Sequence, residues 1–406
     1  MSEARIASLI CLALLAISAA AHPTTRLDVP GPDEKIFNVL EYGAKMDIKT
    51  DNGPNFNKAW QAACHSNAKA RLVIPKGVFY TTQVNFQGPC TTKGPIIVQL
   101  QGTVKADTDS SNFPNMQWIA IEYVDNMIFL GTGGLLDGQG AASWFDNDCD
   151  TNPDCTLPAS NVYIYQSSNI FVRNLNSINP KGYNFQIDGS SNIKLRRLRL
   201  SAPKDSPNTD GFHITNSTLV KIAKSVISSG GDCASFGAGS NNVAFERIIC
   251  NSGTGISIGY LGKSENELEV KNITVKNITL SDTEYGLRFK TWVTPYPNKA
   301  HAIKFEDITM TNVKNPIFVN QELKSEYAKA KASHVKISDV HFVNITGTTT
   351  SEAGVTFKCS QEAHCAAGFD NISLKNSISG KIVTCVKGVK SLVDVFQLVL
   401  GNENCS

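Results

Sequence analysis

Asp210, Asp232 and Thr254 lie 22 residues apart, each inside a glycine-containing turn: Asn208-Thr209-Asp210-Gly211, Gly230-Gly231-Asp232-Cys233 and Gly253-Thr254-Gly255. Arg288 and Lys290 follow, two positions apart. If the chain winds as a parallel solenoid, such a period stacks these positions in a column, with adjacent strands ~4.8 Å apart. Two carboxylates then stand on one face with two cations a coil or two above. Arg288 and Lys290 share a strand face. A guanidinium offers a planar fork to a carboxylate, and an ammonium a point charge. Carboxylates this close raise one pKa, and nearby cations oppose the rise. Such a set suits an acidic polysaccharide. Taken singly, each member has a plainer explanation: Asp210 is an aspartate before a turn glycine, and Arg288 and Lys290 form an exposed basic strand face. The combination favours function.

The elements that must position these residues are short strands. Past residue 160 the chain repeats a loose unit of a polar residue, an alternating apolar strand and a polar turn. Strand anchors fall at Ile170, Ile193, Val220, Val243, Ile273, Ile303, Val335 and Ile372, spaced 23 to 37 residues apart, as coils with insertions on one side require. Stretches such as Ile193-Lys194-Leu195 and Val335-Lys336-Ile337 alternate apolar and polar residues, the pattern of a half-buried strand. A propeller needs a sharp tandem signature every ~40 to 45 residues, and none is present. The expected fold is all-β, a right-handed parallel β-helix. Phe56, Ala59, Trp60 and Ala63 follow helical spacing, which predicts an amphipathic helix over residues 53–64 capping the open end of the solenoid. Gly131-Thr132-Gly133-Gly134 lacks the third glycine of a dinucleotide fingerprint, since position 136 is Leu136.

The site motifs resemble those of the polygalacturonases, pectin-hydrolysing glycoside hydrolases, and most closely their plant pollen exo-acting branch. The family's order is N-T-D, G-D-D-C, G-H-G and R-x-K. Asn208, Thr209 and Asp210 match the first, Asp232 and Cys233 the end of the second, and Arg288 and Lys290 the fourth. Gly231 stands where the family has the first aspartate of its pair, and Thr254 where it has histidine. Asp137-Gly138-Gln139-Gly140 and the segment Phe37-Asn38-Val39 with Tyr42-Gly43-Ala44 extend the likeness from about residue 36 to Cys405.

What the resemblance implies is hydrolysis of polygalacturonate with inversion. An acid protonates the leaving oxygen while a carboxylate activates water, the carboxyl groups standing ~6.5 to 9.5 Å apart. Carried over, Asp210 and Asp232 hold and activate the water, and the acid's place is the side-chain-less Gly231. Losing a general acid costs ~10²- to 10⁴-fold in rate. Thr254 can donate a hydrogen bond but cannot titrate as histidine does. Asn208, Arg288 and Lys290 are expected to bind substrate, and His213, Asn184 and Gln186 are weaker candidates for the groove. Asp282 and Glu284 are the nearest other carboxylates, on a neighbouring turn. Two rivals to the hydrolase remain open: a catalytically silent polygalacturonate binder, and a lyase using calcium and a basic residue.

The formal net charge of +2 on 406 residues gives no support for a nucleic-acid partner. The basic run Lys-Leu-Arg-Arg-Leu-Arg at positions 194–199 alternates with leucines and is expected to be a solvated strand face. Residues 1–21 have the form of a secretory leader, with Arg5, an apolar stretch over 6–20 and an Ala19-Ala20-Ala21 cleavage site. No run is long enough for a membrane span. One domain over residues 22–406 is expected, secreted to the extracellular space or cell wall and acting as a monomer. Without Cys11, ten cysteines remain. An even count in an exported chain favours disulfides, and nearest-neighbour pairing closes short loops along the stack. No metal-ligand spacing is present, and neither a metal nor a cofactor is expected. Sequons occur at Asn216, Asn272, Asn277, Asn344 and Asn371.

Overall fold

Asn126, Asn169, Asn192, Asn242 and Asn272 all hold left-handed backbone, with φ of 70, 56, 52, 53 and 56°. Asparagine enters that region more readily than other side-chain-bearing residues. The parallel register stacks these positions in one column, with Leu219 between Asn192 and Asn242 and with Ala302 and Asp339 continuing it beyond Asn272. Each bends the chain at the start of a strand, so turn chemistry repeated in the sequence becomes a continuous edge of the molecule. Asn272 is also a sequon, as are Asn277, Asn344 and Asn371, which occupy a second left-handed column. The fold alone therefore accounts for asparagine at these four places.

The structure is a computed structural model describing residues 27–145, 147, 155–323, 332–363, 365–395 and 397–400. The expected leader and Cys11, Cys149 and Cys405 lie outside the described residues. Among those described, the strands form one sheet of 18 and one of 11, with parallel neighbours throughout the body of the solenoid. A parallel β-helix is therefore the fold. Inward-facing residues stack coil on coil. Phe305 lies face to face with Phe342 at 5.2 Å, and Phe342 with Phe369 at 5.1 Å, contacts that add about 0.5–1.5 kcal/mol each beyond area burial.

The predicted helix is present as Gly53–Cys64, with Phe56, Ala59, Trp60 and Ala63 buried against the first coils. At the other end Cys365–Asn376 pairs antiparallel with Ile382–Val395, and Val355–Lys358 with Gln397–Leu400. That reversal covers the last parallel strands. Cys64–Cys90, Cys233–Cys250 and Cys359–Cys365 are disulfides between sequence neighbours; Cys155 and Cys385 are disulfide-bonded as well. Gly131 ends one strand and Leu135 opens the next, with no helix between them.

The eight strand anchors all lie in strands, though not all in one column. Ile193, Val220, Val243, Ile273 and Ile303 form a single inward column, which continues to Val340. Val335 instead pairs with Asn298, and Ile372 with Ile345. Most inward positions are apolar in every column, so alternation identifies the face of a strand without identifying the column.

Candidate active site

The strands Phe212–Thr215, Ala234–Phe236 and Ile256–Leu261 stack with a constant offset of 22, pairing Phe212 with Ala234 and Ala234 with Ile256. Asp210, Asp232 and Thr254 precede these strands at the same offset, and so stand one above another. The turn leading to Asp232 is held by hydroxyls. Ser229 donates to the Gly231 carbonyl at 3.0 Å, and Gly230 N–H donates to Thr209 Oγ1 at 3.1 Å. Thr209, fully buried, is thus a turn-fixing residue. Cys233 and Cys250 lie beneath as a buried disulfide. Above, Arg288 pairs with Ser257 and Lys290 with Gly259, two coils above the Asp232 strand.

Asp232 collects the cations. Its Oδ1 accepts from Arg288 at 2.8 Å and from the Thr254 hydroxyl, and its Oδ2 lies 3.5 Å from Lys290 Nζ. Arg288 also donates to Ser257 Oγ at 3.2 Å. Asp210 is oriented differently: its Oδ1 accepts the backbone N–H of Asp232 at 2.7 Å. The two carboxyls are 8% and 4% exposed, so water does little to separate their charges. Burial, then repulsion from Asp232, pushes Asp210 well above the usual carboxylate range. Burial pushes Asp232 the same way, but Lys290 and Arg288 outweigh it and hold this carboxyl below its ordinary value. Environments that drive two neighbouring carboxyls apart divide acid from base.

Gly231 has a geometric role. A Cβ built there would lie 2.2 Å from Asp210 Oδ1. The absence of a side chain lets the Asp210 carboxylate fold back onto the Asp232 amide. Thr254 likewise spends its hydroxyl on Asp232.

The remaining candidates separate. His213 lies in the groove-facing column between Gln186 and Ser235. Its ring stacks on Tyr183 at 4.5 Å, and burial lowers its pKa to about 4, so it is neutral near pH 7. Gln186 accepts from Ser160 Oγ at 2.8 Å and, with Tyr183, Met116 and Leu157, lines a cavity of about 260 Å³. Asn208 is partly exposed, in left-handed backbone, and donates to Asn147 Oδ1 at 3.1 Å. Asn184 is a correction to the groove candidates. It is fully buried, its N–H spent on the Asp210 carbonyl at 2.8 Å, and it offers no surface to a polymer. Asp282 accepts from Asn312 and Glu284 faces Lys314, so neither carboxylate joins the pair.

Several residues of the site went unseen in the sequence. Arg288 lies over the ring of Tyr285 at 4.1 Å and Lys290 over Tyr260 at 3.9 Å, cation–π contacts that aim both cations. Tyr260 has φ of 59° at a register shift between Gly259 and Leu261. A bulky residue in that region is an outlier, and here the bulge turns its ring onto Lys290. Ser235 and Ser257 continue the 22-residue count from His213, and the same arithmetic that stacked the aspartates finds them.

A parallel β-helix with paired carboxyls under an aromatic-framed cation pair defines a polysaccharide-processing class. Residues 64–393 match the glycosyl hydrolases family 28. An exopolygalacturonase of Arabidopsis thaliana is 39% identical over 330 residues, covering 81% of this chain and 76% of its own. An exopolygalacturonase of Platanus acerifolia is 38% identical over 356 residues, covering 86% and 93%. The chain belongs to glycosyl hydrolase family 28. Among solved structures, the endo-xylogalacturonan hydrolase of Aspergillus tubingensis superimposes with a TM-score of 0.74 at 23% identity, over 87% of this chain and 99% of that one. A Thermotoga maritima exopolygalacturonase gives 0.68 at 17% identity, over 88% and 95%. These two likenesses establish the fold.

Proposed function

We propose that this chain is a secreted polygalacturonase, exo-acting, that hydrolyses α-1,4 galacturonosyl bonds of pectin with inversion and does so slowly. The observation that carries the reading is the divided pair: two buried carboxyls one coil apart, Asp210 hydrogen-bonded to the Asp232 amide with its pKa pushed up, and Asp232 paired with Arg288 and Lys290 with its pKa held down. The resemblance casts both as holders of the attacking water, with the acid at position 231. Gly231 supplies none, so this reading gives the proton to Asp210 and the role of base to Asp232. Asp232 is a weak base while Arg288 and Lys290 hold it, and Asp210 must leave the Asp232 amide to reach a substrate. Both features slow the reaction.

Arg288 and Lys290 bind galacturonate carboxylates, framed by Tyr285 and Tyr260, with Asn208, His213 and Gln186 along the groove. The reaction needs no cofactor or metal. Residues 1–21 are read as the leader and 22–406 as one monomeric domain working in the wall. Among the described residues no helix is long and apolar enough to cross a membrane.

A second reading, a silent binder of polygalacturonate, draws on the saturation of Asp232 by Arg288, Thr254 and Lys290. Purified protein incubated with polygalacturonate, with and without calcium, separates the possibilities. Reducing ends without ultraviolet-absorbing unsaturated products support the hydrolase. Calcium-dependent absorbance would replace it with a lyase, and oligosaccharide affinity without either product would establish the binder.

A further inference from the structure

One column of corners departs from the rule that its own backbone sets. Asn174, Asn277, Asp307, Asn344 and Asn371 hold left-handed φ of 55, 57, 59, 53 and 54°. The register joins them into a single row with Arg197, Lys224 and Arg247, which have φ of 57, 55 and 56°. Five of the eight places are Asn or Asp, the residues that enter this region with least strain. Three consecutive places are long cations. Packing does not explain the exchange, because Lys224 and Arg247 are exposed and Arg197 is half-buried.

The surroundings add further cations, with the carboxylate of Glu246 set against them. Lys194, Arg196 and Arg199 point outward from the adjoining strands. Glu246 pairs with Lys221 at 3.1 Å and with Arg247 at 3.5 Å. Repulsion from Arg196, then Arg247 and Arg197, lowers the pKa of Lys224. In the coil that carries Asp232, residues 225–228 separate the Lys224 corner from the site turn, about 13 Å of extended chain. The cations rise one per coil at ~4.8 Å, in a row parallel to the solenoid axis. Donors in line do not enclose a compact anion, but they match a linear polymer with a charge on every unit.

We propose that Arg197, Lys224 and Arg247 form a second binding surface for polygalacturonate, outside the catalytic groove, holding the enzyme on its polymer. The choice of occupant rests on the function proposed above. Each exposed ion pair contributes little, so the attachment is multivalent and weakens with salt.

The test compares the parent with a triple variant, Arg197→Asn, Lys224→Asn and Arg247→Asn. Asparagine suits the left-handed corner, so the variant keeps the fold, and its melting temperature verifies this. Binding to polygalacturonate, to highly methyl-esterified pectin and to dextran sulfate is measured at low and high salt. Rates are measured on trigalacturonate and on the polymer. The expected result is a loss of about tenfold in polygalacturonate affinity at low salt, parent binding abolished by methyl-esterification, and an unchanged rate on trigalacturonate. Parental affinity in the folded triple variant overturns the proposal and leaves an ordinary solvated strand face. Ladder-dependent binding of dextran sulfate without binding of polygalacturonate overturns the choice of polymer. Ladder-dependent polygalacturonate binding in a protein that cleaves neither substrate supports the surface and removes the proposed hydrolysis.

Discussion

Arg71, near the capping helix, and Asp232, in the turn stack, are both buried ions, and the fold treats them in opposite ways. Arg71 is 0% exposed and surrounded by acceptors: Glu34 at 2.6 Å, Gln99 Oε1 at 3.0 Å and the Leu27 carbonyl at 3.1 Å. That network is closed. Asp232 is also well paired, but a second buried carboxyl stands directly below it. Beside the pair, His213 Nδ1, Ser235 Oγ and both side-chain amide atoms of Asn184, Nδ2 and Oδ1, have no hydrogen-bond partner among the described residues. Buried polar groups are normally paired, so a cluster of exceptions around opposed charges marks where the fold serves something other than its own stability. A closed ionic network locks a scaffold, and an open one keeps charges in conflict for chemistry.

Asp232→Asn breaks this contrast most severely. It leaves Arg288 and Lys290 buried without their counter-ion, a loss of about 3–5 kcal/mol, and it removes the base. Denaturant melts should show the destabilisation, and reducing-end assays should fall to background. Arg71→Met sharpens the contrast. Glu34 and Gln99 lose their partner, so stability should fall by a similar ~3–5 kcal/mol, while kcat on polygalacturonate stays at the parental value under conditions where the variant is folded. A change in kcat would join the two networks and weaken the distinction.

Asp210→Asn tests the conflict itself through pH. Because the folded-state pKa of Asp210 is raised, its protonation contributes stability that is full below the ordinary carboxylate range. That contribution is lost as pH rises through the raised value. Asparagine preserves the acceptor for the Asp232 amide and removes the charge. The variant should therefore gain melting temperature over the parent as pH rises, while its activity falls ~10²- to 10⁴-fold. Asp232 has the opposite sign: its lowered pKa adds stability above the ordinary range, lost as pH falls through the lowered value.

Much of this was legible in the sequence because a solenoid writes its geometry as a period. The 22-residue spacing placed Asp210, Asp232 and Thr254 in register, and helical spacing placed Phe56 to Ala63 on the capping helix. Where an insertion changes the period, legibility stops. The step from Ser257 to Arg288 is 31 residues, and no count reveals that Tyr260 bulges out over Lys290. Val335 and Ile372 lie in strands as expected but outside the column of the other anchors, because inward residues are interchangeable in pattern. Asn184 looked like a groove residue, since sequence shows the coil a residue occupies but not its depth. The folded-back Asp210 carboxylate was invisible for a simpler reason: it depends on a Cβ that Gly231 does not have.

The most direct measurement is the initial rate of reducing-end release from polygalacturonate by the parent and by the variant Gly231→Asp with Thr254→His. The new side chain must displace Asp210 from the Asp232 amide and supply the acid that position 231 lacks. The rate should rise at least ~10²-fold. A folded double variant no faster than the parent would contradict the assignment of Gly231 as the site of the missing acid.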